Sequence, residues 1–560
     1  MQTDVCALLQ SWCDALLQYQ IKNTGDPQLD GALLCPACQT IHGRCGELVY
    51  PLMTLCDRLG RQEYLDAARK LFDWSESLFC SDGAMLNDGQ SMWKGITVFA
   101  AVSLCDALRR HGHLLTAEEK QRWKQRLRAH GDWILTHIDE HFDSNINYNA
   151  AAAGSLALLG NYFHCEAYLE HADRMARYAV THVEADGLFY GEGKPIESLT
   201  AKGCRPVDIG YNVEESLPLL LLYARQRGNE DVYRWIKKTL KDHLEFMLPD
   251  GGWDNSFGTR NFKWTYWGSR TSEGCIAPYA HFGKTDPQCA AAAARNLELM
   301  CRCSRDGLLA GGPDYPKVGV RACLHHSFSH ARVLAELLDE DLIPQGDAPL
   351  PCEAAPALKY YPTIDTWRVH LGDWYADVTA YDFTYHLGGH ASGGTLSLLW
   401  HKKNGLMIAS SMTRYSLYEA HNMQQLTDRE LQKSLTPRVE CRRAGELWAS
   451  CWDNTAVIRA VSEEGGVYLE ARGTLSRIQG DAMAEQGEYR LGYRFRPECL
   501  EIEVWTSCPD CCFLLPMAGG AAEPASPEKA VCFSPAGGLL AQEHRWKLSA
   551  GTAFTVRITP

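Results

Sequence analysis

A single short segment of the sequence combines the residue types that bind an acidic sugar. Residues 250–270 read DGGWDNSFGTRNFKWTYWGSR, in which tryptophans alternate with arginines and a lysine. Flat aromatic rings stack on sugar faces, and arginine or lysine side chains bind carboxylates. The segment predicts a uronate-binding site, with an aromatic packing loop between helices as the alternative. The predicted substrate-binding residues in this segment are Asn255, Arg260, Lys263, Trp264, Trp267 and Arg270.

Three carboxylates, a tyrosine and a histidine in glycine-flanked loops are candidates for catalysis. Glu192, Asp208 and Asp254 are predicted to include the acid and the base of glycoside cleavage, which uses a pair of carboxyl groups. Asp254 has a simpler alternative role as a contact to a sugar hydroxyl. Tyr211 can transfer a proton where a neighbouring arginine stabilises its anion. His390 is predicted to assist catalysis, with a turn histidine bonded to the backbone as the alternative.

Two other loops add candidates for substrate binding. His42 and Arg44 lie just before an apolar helical segment and are predicted to point into the same cleft. Asn149 lies near the start of a helix rich in small residues, where its carboxamide can bind a substrate hydroxyl or carboxylate. The alternative role for Asn149 is a helix N-cap.

The loop that contains His42 also resembles a small metal site. Cys35, Cys38, His42 and Cys45 have the spacing C-x2-C-x3-H-x2-C, and thiolates and imidazole at such spacing can form a tetrahedral zinc site. The chain has 23 cysteines, however, so these residues can equally be small apolar core residues. The prediction adopted is that no metal and no cofactor is required, with these four residues as weak zinc candidates.

Composition and charge restrict the classes of partner. A formal net charge of −14 over 560 residues argues against nucleic acid, which requires a basic surface. The sequence has no apolar run long enough to span a bilayer, which argues against a membrane protein. The first residues lack the basic region of a signal peptide, and the cysteines are scattered through apolar segments, so a cytoplasmic location is expected. The size and the expected β-edges are compatible with a homo-oligomer.

Two different hydrophobic periodicities divide the chain. Residues 1–345 show apolar positions at three- and four-residue spacing in about eleven segments, which predicts paired helices closed into an (α/α) toroid. Residues 346–362 are rich in proline and alanine and are predicted to be a linker. Residues 363–560 alternate with period two between turn residues, which predicts an antiparallel β-sandwich. The fold class is therefore a multidomain chain, α followed by β.

The glycine-rich turn and the strand after it, GGHASGGTLSLLWHKKNGLMIASS, resemble a known superfamily. Together with the toroid-then-sandwich order, this segment is similar to the heparinase II/III superfamily of polysaccharide lyases. The resemblance implies that an asparagine neutralises the uronate carboxylate, a tyrosine acts on the C5 proton or on the leaving oxygen, and a histidine assists. By position these residues are Asn149, Tyr211 and His390. The acidic residue that usually follows the second histidine of the turn is absent here.

Three other segments resemble a related group of gut-bacterial glycosidases. CPACQTIHGRCGELVYPL, DIGYNVEESLPLLLLYA and DNSFGTRNFKWTYWGSRTSEG are similar to glycoside hydrolase family 154, whose known activity is β-glucuronidase. The main functional prediction is therefore an exo-acting hydrolase that removes a uronic acid, β-linked glucuronate, from an oligosaccharide or glycoconjugate. The first alternative is a lyase that cleaves uronate-containing polysaccharide by β-elimination. The second alternative is a carbohydrate-binding protein without catalysis.

Overall fold

The computed structural model describes residues 4–264, 266, 271–354, 357–419, 422–424, 426, 428, 430–484 and 487–560. Its N-terminal region consists almost entirely of helices, as the three- and four-residue apolar spacing predicts. The helices are α1 Val5–Leu17, α2 Val49–Leu59, α3 Gln62–Trp74, α4 Thr97–His111, α5 Ala117–His137, α6 Ile146–Phe163, α7 Glu166–Ala179, α8 Ile209–Tyr211, α9 Leu217–Arg227, α10 Glu230–His243, α11 Ile276–Gly283, α12 Pro287–Cys303 and α13 Leu324–Asp339.

Six of these helices form a closed inner ring. Successive packing runs from α2 to α4, α6, α9, α11 and α13, and α13 packs back against α2. The helices α1, α3, α5, α7, α10 and α12 each pack on the outside of that ring. Small residues allow close packing within it: a Cβ on Gly154 of α6 would lie 2.5 Å from the Leu219 carbonyl oxygen of α9. The N-terminal region is therefore an (α/α) toroid, as predicted.

The C-terminal region contains three antiparallel sheets. Their strands, in chain order after a short hairpin of β1 Ser304–Arg305 and β2 Leu308–Leu309, are β3 Ala357–Tyr361, β4 Thr366–Leu371, β5 Trp374–Thr379, β6 Thr395–His401, β7 Gly405–Ala409, β8 Arg438–Arg443, β9 Glu446–Ala449, β10 Val457–Glu463, β11 Gly466–Thr474, β12 Glu488–Arg496, β13 Cys499–Thr506, β14 Cys512–Met517, β15 Ala521–Glu523, β16 Glu528–Phe533, β17 Leu540–Lys547 and β18 Phe554–Thr559. The strand orders are β3-β4-β5-β6-β7, β16-β17-β14-β8-β9 and β10-β11-β12-β13-β18-β15.

The first of these sheets lies between the toroid and the other two. Along β5, Trp374, Ala376 and Val378 join the core shared with the outer sheets, whereas Tyr375 joins the core of the helical region. All six residues of β5 are buried, so both faces of this sheet are covered. The predicted antiparallel β region is confirmed, with the sheet of β3–β7 as its middle layer.

The boundary between the regions differs from the prediction. The expected linker, 346–362, already contains β3, which pairs with β4 from Ala357 to Tyr361. Proline and alanine obscured this strand in the sequence. None of the helices formed by the described residues combines the length and the apolar character that a membrane span requires.

Candidate functional site

A cleft of about 520 Å³ opens at one end of the helical ring and is bordered by the β region. In the helical region its lining comes from the turn before α2, the residues before α4 and α6 and the first turns of these helices, the loop between α7 and α8, α8 and the π-helical turn after it, and the loop before α11. In the β region it comes from the segments after β5 and β7. The lining residues that the structure describes are Arg44, Asn87, Ser91, Trp93, Ile96, Phe99, Ser144, Asn145, Asn147, Tyr148, Lys194, Tyr211, Glu215, Arg260, Lys263, Thr271, Tyr385, Tyr418, Glu419 and Asn422.

The inner helices direct their N-terminal ends towards this cleft. Arg44 precedes α2, Phe99 is in the first turn of α4, Asn147 is in the first turn of α6, and Thr271 precedes α11. The N-terminal end of a helix carries partial positive charge from its unpaired N–H groups. The toroid therefore favours an anion in the cleft, even though the whole chain is negatively charged.

Tyr211 lines the cleft next to two cations. Its hydroxyl lies 2.5 Å from Thr271 Oγ1, and Lys263 Nζ donates to it at 3.2 Å. The Arg260 guanidinium carbon lies 3.6 Å from the centre of the tyrosine ring. Both cations stabilise negative charge on the phenol oxygen, so this arrangement suits a tyrosine that exchanges a proton with substrate.

An irregular helical turn positions Tyr211. Asp208 caps α8 by accepting the Tyr211 N–H at 3.1 Å, and a π-helical segment, Asn212–Ser216, joins α8 to α9. The wider π turn places Glu215 in the cleft lining together with Tyr211. Such π segments are frequent at functional sites because they redirect side chains within a continuous helix.

Arg260 binds one carboxylate of the protein and keeps a further N–H donor for a ligand. One terminal N–H donates to Glu192 Oε2 at 2.9 Å, while Nε has no hydrogen-bond partner among the described residues. Burial opposes its charge, but Tyr211 and Glu192 raise the pKa of Arg260 well above its ordinary value. Arg260 is thus a permanently charged donor in the cleft, as a uronate carboxylate requires.

Asn145, the N-cap residue of α6, and Asn147, in the first turn of α6, present carboxamides to the cleft. Asn147 Nδ2 donates to Glu215 Oε2 at 2.7 Å, and Asn145 Nδ2 lies 3.5 Å from the Tyr385 hydroxyl. Both Oδ1 atoms are buried and have no hydrogen-bond partner among the described residues. Because buried amide oxygens are costly to leave unpaired, these atoms are suited to accept hydrogen bonds from a ligand.

Glu215, which accepts the Asn147 hydrogen bond, gives this part of the cleft a pH-dependent stability that can be measured. Burial raises the pKa of Glu215 to about 7, although Arg44 and Asn147 oppose the rise. Because this pKa lies above that of an unfolded glutamate, about 4.5, the folded state loses stability as the pH rises from about 4.5 to about 7. Wild type should lose roughly 1–3 kcal/mol of unfolding free energy between about pH 5 and pH 8 that Glu215→Gln does not lose. The stability of the variant relative to wild type should therefore rise by this amount across the range, measured by urea unfolding.

Glu419 is the matched control because its shift has the opposite sign. Burial opposes its charge, but Lys263 and Arg260 hold the pKa of Glu419 at about 2, and Lys263 Nζ lies 2.7 Å from its carboxylate. Its stabilising effect is present above the ordinary glutamate pKa and is lost as the pH falls towards 2. Glu419→Gln should therefore lose stability near pH 8. If Glu215→Gln and wild type showed the same pH dependence, the buried-carboxyl account of Glu215 would fail.

Aromatic side chains form two walls of the cleft. On one side, the rings of Trp93 and Tyr148 are 5.3 Å apart, and Trp93 Nε1 donates to the Tyr148 hydroxyl at 3.0 Å. On the other side, Tyr385 and Tyr418 both contact His386, whose ring stacks on Tyr418 at 4.4 Å. Aromatic rings that line one cleft are suited to hold the faces of sugar units.

Several residues of the opening segment serve the structure of the loop. Asn255 accepts the Ile209 N–H at 2.9 Å and donates to Asp208 at 3.0 Å, and Asp208 also accepts the Arg260 N–H at 2.9 Å. Trp264 is buried, and a Cβ on Gly210 would lie 0.9 Å from its ring. These contacts hold the loop that carries Arg260 and Lys263. Trp267 and Arg270 lie outside the described residues.

Asp254 belongs to the interface between the toroid and the β region. Arg368 of β4 lies 3.3 Å from Asp254 and donates to Asp377 at 2.8 Å, and Asp254 accepts the Ser256 hydroxyl at 2.7 Å. Asp254 is absent from the described lining of the cleft. Burial and the neighbouring Asp377 raise the pKa of Asp254 well above its ordinary value.

This environment predicts that Asp254 is dispensable for catalysis. We expect Asp254→Asn to keep kcat/KM within about threefold of wild type, whereas loss of a general acid or base costs roughly 100-fold or more. Arg368→Met is the matched stability control, because it leaves Asp377 buried without its cation and should cost about 3–5 kcal/mol of unfolding free energy. A large loss of kcat/KM in a folded Asp254→Asn protein would contradict this interpretation.

Four of the remaining predicted site residues, Glu192, His390, Asn149 and His42, are absent from the described lining of the cleft. Glu192 is fully buried behind Arg260, and burial raises its pKa to about 7 despite that arginine. His390 is buried with its Nε2 3.2 Å from the Tyr381 carbonyl oxygen. Asn149 donates to the Asp139 carbonyl at 2.7 Å. His42 lies against Cys323, away from the described lining, while Arg44 lines the cleft and bonds Glu47 and the Thr271 carbonyl.

Some of the lining residues could have been found from the sequence. The motif NINYN contains Asn145, Asn147 and Asn149 at two-residue spacing, and side chains two apart on a helix point in different directions. The choice of Asn149 as the substrate-binding candidate therefore left out Asn147, which points in a different direction and lines the cleft. Trp93, Tyr148, Tyr385 and Tyr418 carry no local signal beyond their aromatic character, because only the folded chain brings them to one cleft.

Comparisons with known proteins cover nearly the whole chain. The sequence models of the ulvan lyase N-terminal domain and the ulvan lyase C-terminal domain match residues 9–351 and 358–523. A broad-specificity ulvan lyase from Formosa agariphila is 36% identical over 540 residues, which cover 93% of this chain and 82% of that protein.

The solved structures that the chain matches are much more distant in sequence. The heparan sulfate lyase HepC from Pedobacter heparinus is 9% identical, with a TM-score of 0.44 over 100% of this chain and 83% of that chain. An α-1,6-mannanase from Salegentibacter sp. HEL1_6 is 13% identical, with a TM-score of 0.45 over 60% of this chain and 100% of that chain.

Proposed function

The chain belongs to the ulvan lyase family, and from this premise we propose that it cleaves a uronate-containing acidic polysaccharide of the ulvan type by β-elimination. The observation that carries the proposal is the position of Tyr211, which lines the cleft next to Arg260 and Lys263. This arrangement supplies a proton-transfer group next to a cation that can bind the substrate carboxylate.

Elimination replaces hydrolysis as the preferred reaction. The family matches are to lyases and support the first alternative from the sequence, while the resemblance to glycoside hydrolase family 154 and its β-glucuronidase activity is not confirmed. A glycosidase needs a carboxyl pair across the scissile bond, one member of which is protonated. Glu215, whose pKa burial raises to about 7, and Glu419, whose pKa is held at about 2, both line the cleft. The preference for elimination therefore rests on the family matches and on Tyr211, and not on a missing carboxyl pair.

The reaction can be written with each atom assigned. The Tyr211 phenolate removes the proton from C5 of the uronate, and the electrons of the C5–H bond form the C4–C5 double bond. The C4–O bond breaks, and the leaving oxygen takes a proton from Tyr211 or from water. Lys263 and Arg260 stabilise the phenolate before the transfer, because both place positive charge next to the tyrosine.

The substrate carboxylate is assigned to Arg260, with the carboxamides of Asn145 and Asn147 beside it. Removing the C5 proton moves negative charge onto the carboxylate, so donors at this position stabilise the transition state more than the bound substrate. The open Nε of Arg260 provides such a donor, and the unpaired Oδ1 atoms of Asn145 and Asn147 are assigned as acceptors for sugar hydroxyls beside it. The walls of Trp93 and Tyr148, and of Tyr385 and Tyr418, are assigned to the sugar faces.

The proposal is tested with ulvan and a neutral polysaccharide as substrates. Elimination leaves an unsaturated uronate at the new chain end, which absorbs ultraviolet light, whereas hydrolysis leaves no such group. We expect the absorbance to rise with ulvan and to stay constant with the neutral polysaccharide. Cleavage of ulvan without a rise in absorbance would establish a hydrolase. Binding of ulvan without any cleavage would establish the non-catalytic alternative.

A further inference from the structure

Four potential metal ligands converge outside the cleft. The ligand atoms of Cys35, Cys38, His42 and Cys323 all lie within 4.8 Å of one another. We propose that these four residues bind a structural zinc ion with three sulfur ligands and one nitrogen ligand. The sequence pattern pointed to Cys45 as the fourth ligand, but Cys45 is buried in the hydrophobic core and is not part of the cluster.

The distances within the cluster match a zinc tetrahedron. Zinc–sulfur bonds of about 2.3 Å and zinc–nitrogen bonds of about 2.0–2.1 Å give tetrahedral edges of about 3.8 Å between sulfurs and about 3.5 Å between sulfur and nitrogen. Cys323 Sγ lies 3.8 Å from Cys35 Sγ, 3.5 Å from Cys38 Sγ and 3.4 Å from His42 Nε2. The ligand atoms therefore already have the separations that a central zinc ion requires.

The backbone around the cluster also suits thiolate ligands. The Cys38 N–H donates to Cys35 Sγ at 3.4 Å, and this hydrogen bond stabilises a deprotonated sulfur. Cys35 and Cys323 are fully buried, and His42 is 4% exposed, so the ion would be shielded from water on most sides. Three thiolates and one imidazole are the donor set of closed structural zinc sites, which leave no position for substrate.

The cluster joins distant parts of the chain where the toroid closes. Cys323 is the N-cap residue of α13, and 281 residues separate it from His42, which directly precedes the helical turn Gly43–Leu48 before α2. Because α13 packs against α1 and α2, a zinc ion here would fasten the first and last parts of the helical ring. Metal binding only to the folded chain stabilises it, most of all when the ligands are far apart in sequence.

A second cysteine cluster provides an internal control. Cys441, Cys508 and Cys511 also lie within 4.8 Å of one another in the β region, but the described residues offer this cluster no fourth ligand. Zinc bound there would add to the total metal content. The proposal therefore concerns the difference in zinc between matched variants and not the total.

The experiment measures zinc per chain by mass spectrometry of the metal after purification under reducing conditions. We expect Cys323→Ser and Cys38→Ser each to lose about one zinc per chain relative to wild type, and Cys45→Ser and Cys508→Ser to keep the ion of the first cluster. Cys38 is only partly buried, so its variant should fold even if Cys323→Ser does not. X-ray absorption of Cys508→Ser should show three sulfur ligands and one nitrogen ligand at zinc. Equal zinc contents in Cys38→Ser and wild type, or a different ligand set, would overturn the proposal.

Discussion

Tyr211→Phe should lower kcat on ulvan by at least roughly 100-fold and up to roughly 10,000-fold, because general acid–base groups contribute effects of this size. The substitution removes the hydroxyl that lies 2.5 Å from Thr271 and 3.2 Å from Lys263, and it keeps the ring on which Arg260 stacks. Affinity for the polysaccharide should change little, since the carboxylate contacts remain. The measurements are the initial rate of ultraviolet absorbance and the Kd from calorimetry.

Tyr279→Phe is the matched control for this variant. Tyr279 is buried in α11, and its hydroxyl donates to the Leu240 carbonyl at 2.9 Å, outside the described lining of the cleft. It should lose about 1 kcal/mol or more of stability through the unpaired carbonyl, with kcat unchanged. If Tyr211→Phe kept more than about a tenth of the wild-type kcat, well above the loss that general acid–base catalysis implies, Tyr211 would not be the proton-transfer group.

Arg260→Lys should lower kcat/KM by roughly 10- to 100-fold, corresponding to one lost charge-assisted hydrogen bond of about 1.5–3 kcal/mol. Lysine keeps the positive charge near Tyr211. It lacks the planar guanidinium of Arg260, in which a terminal N–H binds Glu192 and Nε remains available to a ligand. Inhibition by free glucuronate should weaken by a similar factor, because the carboxylate contact is the one that changes. Steady-state rates and inhibition constants measure both effects.

Arg332→Lys distinguishes a local effect from a general loss of stability. Arg332 is a buried arginine of α13 that donates to Glu273 at 2.7 Å, and it does not line the cleft in the described structure. Its substitution should lower the Tm while leaving kcat/KM and glucuronate inhibition unchanged. An Arg260→Lys protein with wild-type glucuronate inhibition would contradict the assignment of the carboxylate to Arg260.

The fold could be predicted from periodicity because burial of one helix face or one strand face leaves a regular pattern. The toroid and the antiparallel β region both followed from that pattern. Helix α11 carries no such pattern, because it has only eight residues, six of them buried, and so shows no polar face. Strand β3 was missed because it follows a segment rich in proline and alanine.

Residue type identified a site residue correctly only where the polar side chain also faces the cleft in the folded chain. Tyr211, Arg260, Lys263 and Arg44 were proposed from residue type and line the cleft. Asp254 and Asn255 have the same polar character, yet their contacts hold the loop and the domain interface. Sequence does not distinguish a buried polar residue that binds its own chain from one that faces a ligand. Cys323 illustrates the same limit, because its partners are about 280 residues away in the chain.

The central claim is that this cleft cleaves polysaccharide by elimination, and the most direct test follows the oxygen of water. Ulvan is digested in water enriched in oxygen-18, and the products are weighed by mass spectrometry. Hydrolysis places one heavy oxygen in the products of each cleavage, whereas elimination adds no water across the bond. We predict unsaturated products for wild type, with no heavy oxygen beyond the amount that their reducing ends exchange with labelled water, and no products above background for Tyr211→Phe. Labelled, saturated products from the wild-type protein would contradict the account.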